Sequence, residues 1–215
     1  MNDAELRKRV LEELEFDPSL DAAHIGVAVE DGIATLTGHV SAYAQKYNAE
    51  RAAQRVKGVR GIAQEIEVRP PTASPTDDDQ LAKRALDLIA WDASLPADAV
   101  KVKVERGWVT LSGEVEWHHQ RMGCESAVRR LAGVTGVSNL IELRHRVQSG
   151  DIRASVDQAL RRSAEVEAGN IRLHVNGGEV TLSGTTRSWH ERNAVQRAAW
   201  AVPGVTSVVN HLTVV

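Results

Sequence analysis

The feature that most constrains this chain is an internal repeat. A Thr-Leu-Thr/Ser-Gly motif stands at Thr35–Gly38, Thr110–Gly113 and Thr181–Gly184. A Gly-Val pair follows twenty residues after each motif glycine, at Gly58-Val59, Gly133-Val134 and Gly204-Val205. Six residues before each motif glycine stands another glycine, Gly32, Gly107 or Gly178. The segments align without gaps at offsets of 75 and 71 residues, so the length difference lies between repeats. Nine positions are identical in all three: Ala22, Val29, Gly32, Thr35, Leu36, Gly38, Ala52, Gly58 and Val59, with their counterparts. A fixed period of this size marks tandem copies of one supersecondary unit.

Each repeat opens with an apolar stripe at i, i+4, i+8: Leu6/Val10/Leu14, Leu81/Ala85/Ile89 and Ile152/Val156/Leu160. That spacing predicts a helix with one buried side. Period-2 apolar residues then predict a strand, at Ile25/Val27/Val29, Val100/Val102/Val104 and Ile171/Leu173/Val175. A turn at Asp31-Gly32, Arg106-Gly107 or Gly177-Gly178 reverses it into a second strand that ends at the motif. A second helix is expected over Ala42–Lys57, Trp117–Ala132 and Trp189–Pro203. Ser188 and Glu191 have capping-box spacing at the start of the third of these helices. Gly58, Gly133 and Gly204 are placed as left-handed residues closing the helices. A last strand carries Ile62/Ile66/Val68, Val137/Ile141/Leu143 and Val208/Leu212/Val214. The fold class is therefore α+β: three tandem αββαβ units, each a three-stranded sheet with two helices on one face.

The domains are drawn at 1–69, 77–147 and 148–215, with a Pro-rich linker at 70–76. Pro70–Thr76 (PPTASPT) reads as a stiff, exposed spacer. The second junction, Arg144–Gly150, is proline-free, so the second and third repeats are expected to be held closer than the first and second.

On these residues the chain resembles the BON domain family (bacterial osmotically inducible protein and nodulation). The likeness rests on the αββαβ order, the Thr-Leu-Thr/Ser-Gly strand end and the later Gly-Val, three times over. It implies a stress- or envelope-related binding protein. The family includes periplasmic stress proteins, a lipoprotein that binds anionic phospholipid and a cytosolic potassium-binding protein.

Chemistry is harder to find. Among the nine recurring positions there is no Asp, Glu, His, Lys, Arg or Cys, and no P-loop, HExxH or Gly-x-Ser-x-Gly pattern occurs. No enzymatic activity is expected. The single cysteine, Cys124, excludes an intramolecular disulfide and a Cys-based zinc site, and its place on the second helix suits packing. His118 and His119 are adjacent and diverge on a helix, so no metal site is assigned. No cofactor is expected, although backbone carbonyls could ligate potassium without a side-chain signature. Lys+Arg total 26 against 29 Asp+Glu, a net charge of −3 that argues against nucleic acid as a partner. Glu12, Glu13 and Glu15 interrupt the N-terminal stretch where a signal peptide needs an apolar run, and no transmembrane run occurs. The expected location is cytoplasmic, or periplasmic if a leader has been removed.

Two patterns point to a binding surface for anionic lipid or a protein partner. Aromatic residues gather at the start of the second helix, at Tyr43, Trp117 and Trp189. Lys46, Arg121 and Arg192 occupy one equivalent position beside them, and the third repeat adds Arg187 and Arg197. The competing roles are a helix-start staple for the rings and i, i+4 pairs such as Lys46–Glu50 and Arg121–Glu125 for the cations. Alternation also places Trp108 and Leu140 on the outward sheet face of the second repeat, as an inter-domain contact. Small-ion sensing and a chaperone-like stress role are the alternatives.

Overall fold

Helix α1 (Asp3–Phe16) buries Leu6, Val10 and Leu14 along one side, as the i, i+4, i+8 spacing requires. The computed structural model describes residues 2–70, 77–92, 98–144, 151–162 and 168–215. The first repeat continues with β1 (Ile25–Glu30), β2 (Ile33–Val40), α2 (Tyr43–Arg55) and β3 (Gly61–Val68). The second contains α3 (Asp78–Ala90), β4 (Val100–Glu105), β5 (Trp108–Val115), α4 (His118–Val128) and β6 (Gly136–Leu143). The third contains α5 (Ile152–Arg162), β7 (Ile171–Asn176), β8 (Glu179–Thr186), α6 (Trp189–Trp200) and β9 (Ser207–Val214). The expected αββαβ order is present three times.

In each sheet the second strand is central. β1 runs antiparallel to β2, from Ile25 opposite Gly38 to Glu30 opposite Ile33, and β3 returns parallel to β2 through α2. The third repeat has the same register. Both helices of a repeat pack on the same sheet face and on each other. The motif leucines Leu36, Leu111 and Leu182 lie at the centre of the three cores with no exposed surface.

The motif glycines owe their recurrence to one close approach. Gly38, Gly113 and Gly184 have φ of 105°, 132° and 126°. A Cβ there would stand 2.0 to 2.1 Å from the carbonyl oxygen of His24, Ala99 or Asn170, the residue just before the first strand. No side chain fits that space. The hairpin glycines meet the helix ends in a similar way. The Gly32, Gly107 and Gly178 carbonyls accept the N–H of Arg60, Thr135 and Thr206 at 2.8, 2.9 and 2.8 Å.

That bond corrects the expected helix ends. The second helices stop at Arg55, Val128 and Trp200, short of Lys57, Ala132 and Pro203. Gly58, Gly133 and Gly204 do have positive φ, of 104°, 94° and 91°, but they lie in the turn that follows. The tertiary bond to the hairpin draws the backbone out of the helix before its apolar pattern ends.

The first and second repeats meet despite the Pro-rich spacer expected to hold them apart. Residues 1–142 form one compact unit and residues 143–215 another, so it is the first and second repeats that pack together. The Arg129 guanidinium lies 3.5 Å from the centre of the Tyr47 ring, with its side chain almost wholly covered. Tyr43, one turn before Tyr47, meets the backbone of Val137, and burial raises its hydroxyl pKa. A helix face joins these two repeats. The spacer residues 71–76 and most of the second junction, 145–150, lie outside the described residues.

A desolvated cation–π pair contributes about 1–2 kcal/mol. Tyr47→Ala and Arg129→Ala should therefore each lower stability by about that amount, and the double variant should lose less than their sum. Additive losses in urea denaturation would show that the two residues do not act as a pair.

Candidate functional site

The start of the second helix is built alike in all three repeats. Gln45, Gln120 and Glu191 occupy one position and reach back to the backbone ahead of the helix. Gln45 Oε1 accepts from the Ser41 N–H, Gln120 Oε1 from Glu116 and Trp117, and Glu191 Oε2 from Arg187. Ser188 Oγ accepts the Glu191 N–H at 3.1 Å, the cap expected from the spacing. The candidate aromatics and cations are carried on this frame.

The structure does not bring them into one surface. Tyr43 faces the second repeat, as described above. Trp117 is 37 % exposed and stacks on His119 at 6.5 Å between ring centres. Trp189 is half-buried beneath Arg192, whose guanidinium carbon lies 5.1 Å from the ring centre. Arg187 and Arg197 are exposed.

Two of the aligned cations serve the fold. Arg192 donates through Nε to the Leu212 carbonyl at 3.1 Å and through Nη2 to Asn210 at 3.4 Å. Burial lowers its pKa from the usual arginine range. Arg121 Nη2 makes a longer contact, 3.5 Å, to the Asn139 carbonyl, the position equivalent to Asn210. In the first repeat a side chain reaches the other way, from Gln64 Nε2 to the Lys46 carbonyl at 3.2 Å. This position ties the second helix to the last strand. Of the expected i, i+4 partners, Glu125 pairs instead with Arg129 at 3.9 Å.

Trp108 and Leu140 are on the open sheet face, 50 % and 62 % exposed. The Trp108 ring covers Gly136, where a Cβ would come within 2.3 Å of it, and its Nε1 donates to Ser138 Oγ at 2.9 Å. Ile33 and Glu179 occupy the position of Trp108 in the other repeats, and Glu65 and His211 that of Leu140. The two residues thus mark the second repeat alone.

Sequence reasoning missed a carboxylate at the start of the first helix. Asp3 accepts the N–H groups of Asp31 and Gly32, and Asp78 those of Arg106 and Gly107 at 2.7 and 3.0 Å. Each holds the hairpin against the helix N-terminus. The signal was an aspartate recurring in two repeats, which a search for residues identical in all three discards.

Burial pushes the Cys124 thiol up to about 11, a packing environment rather than that of a reactive thiolate. Burial, with Arg121 and His119 nearby, pulls His118 down to about 4. An unfolded His118 titrates near ~6.5, so between that pH and about 4 the unfolded chain binds more protons. Stability of the second repeat should therefore fall as pH drops through this window. His118→Tyr, which copies the aromatic of Tyr43 and Trp189 at the equivalent position, should flatten that acid limb of the melting curve. An unchanged limb would assign the pH dependence elsewhere. Among the described residues no group of three His, Cys, Asp or Glu is placed to hold a metal ion. No helix among them is long and apolar enough to cross a membrane.

Three small α+β modules in tandem, whose shared residues serve hairpin, helix-end and core packing, define a modular protein. The chain belongs to the BON domain family, whose model matches residues 2–70, 77–145 and 148–215. It is 28 % identical over 144 residues to the Osmotically-inducible protein Y of Escherichia coli (strain K12), covering 65 % of this chain and 71 % of that protein. Among solved structures it matches a structural protein of the type III secretion system of Chlamydia trachomatis at 15 % identity, over 98 % of this chain and 92 % of that one. A C-terminal domain of the same protein matches at 14 % identity over the full length of both chains. Both TM-scores are 0.26.

Proposed function

We propose that this is a non-enzymatic binding and scaffold protein of the osmotic-stress response, related to the cell envelope, whose BON domains bind through faces that differ between repeats. One observation carries the reading. The shared glycines and leucines are absorbed by the fold, while the exposed faces diverge at Ile33/Trp108/Glu179 and Glu65/Leu140/His211. A shared active site would show the opposite distribution. The likeness to an osmotically inducible protein supports the physiological setting.

The surface assigned to anionic phospholipid is α6 of the third repeat, with exposed Arg187 just before it, half-buried Trp189 at its start and exposed Arg197 two turns on. Lys46 and Tyr43 contribute less, because Tyr43 is turned to the second repeat. Co-sedimentation with phosphatidylglycerol vesicles tests this. Retention at low salt should fall as salt screens the contact, and should fall further in Arg187→Ala/Arg197→Ala. Phosphatidylcholine vesicles should retain little. Failure of anionic vesicles to retain the parent protein at low salt rejects lipid and leaves a protein partner. A melting shift with potassium but not sodium would replace both with ion sensing.

A further inference from the structure

The first strand of each repeat is a sheet edge, and the three repeats treat that edge differently. In the first repeat Arg7 reaches from α1 and donates through Nε to the Val27 carbonyl at 2.8 Å, covering the edge of β1. The bond also shows that Val27 directs its backbone oxygen away from β2. The second repeat has Ala82 at the position of Arg7, and its edge strand carries Lys101 and Lys103, charges that discourage pairing.

The third repeat keeps the arginine but not the bond. Arg153 stands at the position of Arg7 and Leu173 at that of Val27. Between α5 and β7 lies a groove of about 710 Å³ lined by both residues and by Arg172. Among the described residues neither Arg153 nor Arg172 has a hydrogen bond or ion pair. The carboxylates beside them are engaged: Asp151 Oδ1 accepts the Ala154 N–H at 3.1 Å, and Asp157 pairs with Arg161 at 2.7 Å. Among the described residues the groove thus joins an uncovered strand edge to two guanidinium groups without a bonded partner, one on the helix and one on the strand.

We propose that the β7 edge of the third repeat docks an extended acidic segment of a partner protein, which adds as a fourth strand. Its main chain pairs with β7 at Leu173. Its alternate side chains point to opposite faces, bringing carboxylates to Arg153 on the helix side and to Arg172 on the open side. Bidentate guanidinium–carboxylate pairing suits this arrangement. The stretch of this chain before α5 carries Arg144 and Arg146, the same sign as Arg153 and Arg172, so charge at these two guanidinium groups favours an acidic partner over the chain's own linker. The proposal deepens the scaffold reading by naming a partner chemistry, and it uses a different surface from the lipid assignment on α6.

The test uses the full chain and a fluorescent peptide of sequence Val-Glu-Glu-Val-Glu-Glu-Val, in which consecutive glutamates face opposite sides of a strand. Anisotropy should show saturable binding that weakens with salt, and a lysine-for-glutamate peptide should not bind. Arg153→Ala/Arg172→Ala should weaken binding by about tenfold or more, as expected for loss of two surface charge pairs. Its melting temperature should be unchanged, because both side chains are exposed. Hydrogen exchange supplies the decisive readout: peptide should protect the amides of Ile171, Leu173 and Val175. Absence of saturable binding, equal affinity in the double variant, or binding without that protection would overturn strand addition. So would full displacement by inorganic phosphate, which would indicate a simple anion site. Vesicle retention by α6 would survive any of these failures, which separates this proposal from the lipid reading.

Discussion

Gly113→Ala should strongly destabilise the second repeat, whereas the mid-helix change Gly123→Ala should not. At Gly113 the backbone has φ of 132°, and an added Cβ would lie 2.1 Å from the Ala99 carbonyl oxygen. Relief requires moving the start of β4 away from β5, which breaks the antiparallel register at Val100 opposite Gly113. Strain and lost pairing together should cost about 3 kcal/mol or more. A repeat of this size has only about 4–10 kcal/mol to lose, on the usual stability per residue. Gly123 lies in α4, where a Cβ would meet only Asp92 Oδ2 at 3.7 Å. Alanine there should be neutral or add up to about 1 kcal/mol through helix propensity. Thermal melts followed by circular dichroism and by tryptophan fluorescence compare the two. If Gly113→Ala melts with the parent, the close approach does not explain why this glycine recurs.

Leu182→Ala should cost about 2–5 kcal/mol, the range for a buried leucine whose cavity cannot collapse. Leu182 has no exposed surface and belongs to a cluster with Val156, Leu160, Val195 and Ala199. The central strand β8 is paired on both sides, so its backbone cannot move inward to fill the space. The third repeat forms a compact unit apart from the first two. The variant should therefore melt in two steps, the earlier one confined to residues 143–215 and detectable as early loss of their amide protection. A single transition shifted as a whole would show that all three repeats unfold together. Loss below about 1 kcal/mol would place Leu182 at a site able to repack.

These two expectations come from different levels of information. Leu182 was identifiable from alternation and recurrence, because a side chain at the centre of an amphipathic strand is buried wherever the strand lies. Gly113 was identifiable as a recurring residue but not as a close contact. Its glycine requirement comes from the carbonyl of Ala99, fourteen residues earlier and brought near only by the hairpin. The candidate binding surface was legible only in part. Lys46, Arg121 and Arg192 align in the sequence, yet Arg192 is held by carbonyls of the last strand, and a cation used by the fold looks the same as one presented to a ligand.

The sequence by itself determined the repeat, the αββαβ order and the apolar stripes. Each is set by local backbone geometry or by a period of two or 3.6 residues, and neither depends on distant neighbours. Tertiary structure alone decided where the second helices end, how the first two repeats meet and how the first helix bonds to the edge strand. The hairpin carbonyls stop the helices, and Tyr47 meets Arg129 across the first two repeats. Arg7 donates to the Val27 carbonyl of β1, a bond that Arg153 does not make to β7 among the described residues. Each outcome depends on groups far apart in the chain, whose distance and orientation no periodicity encodes.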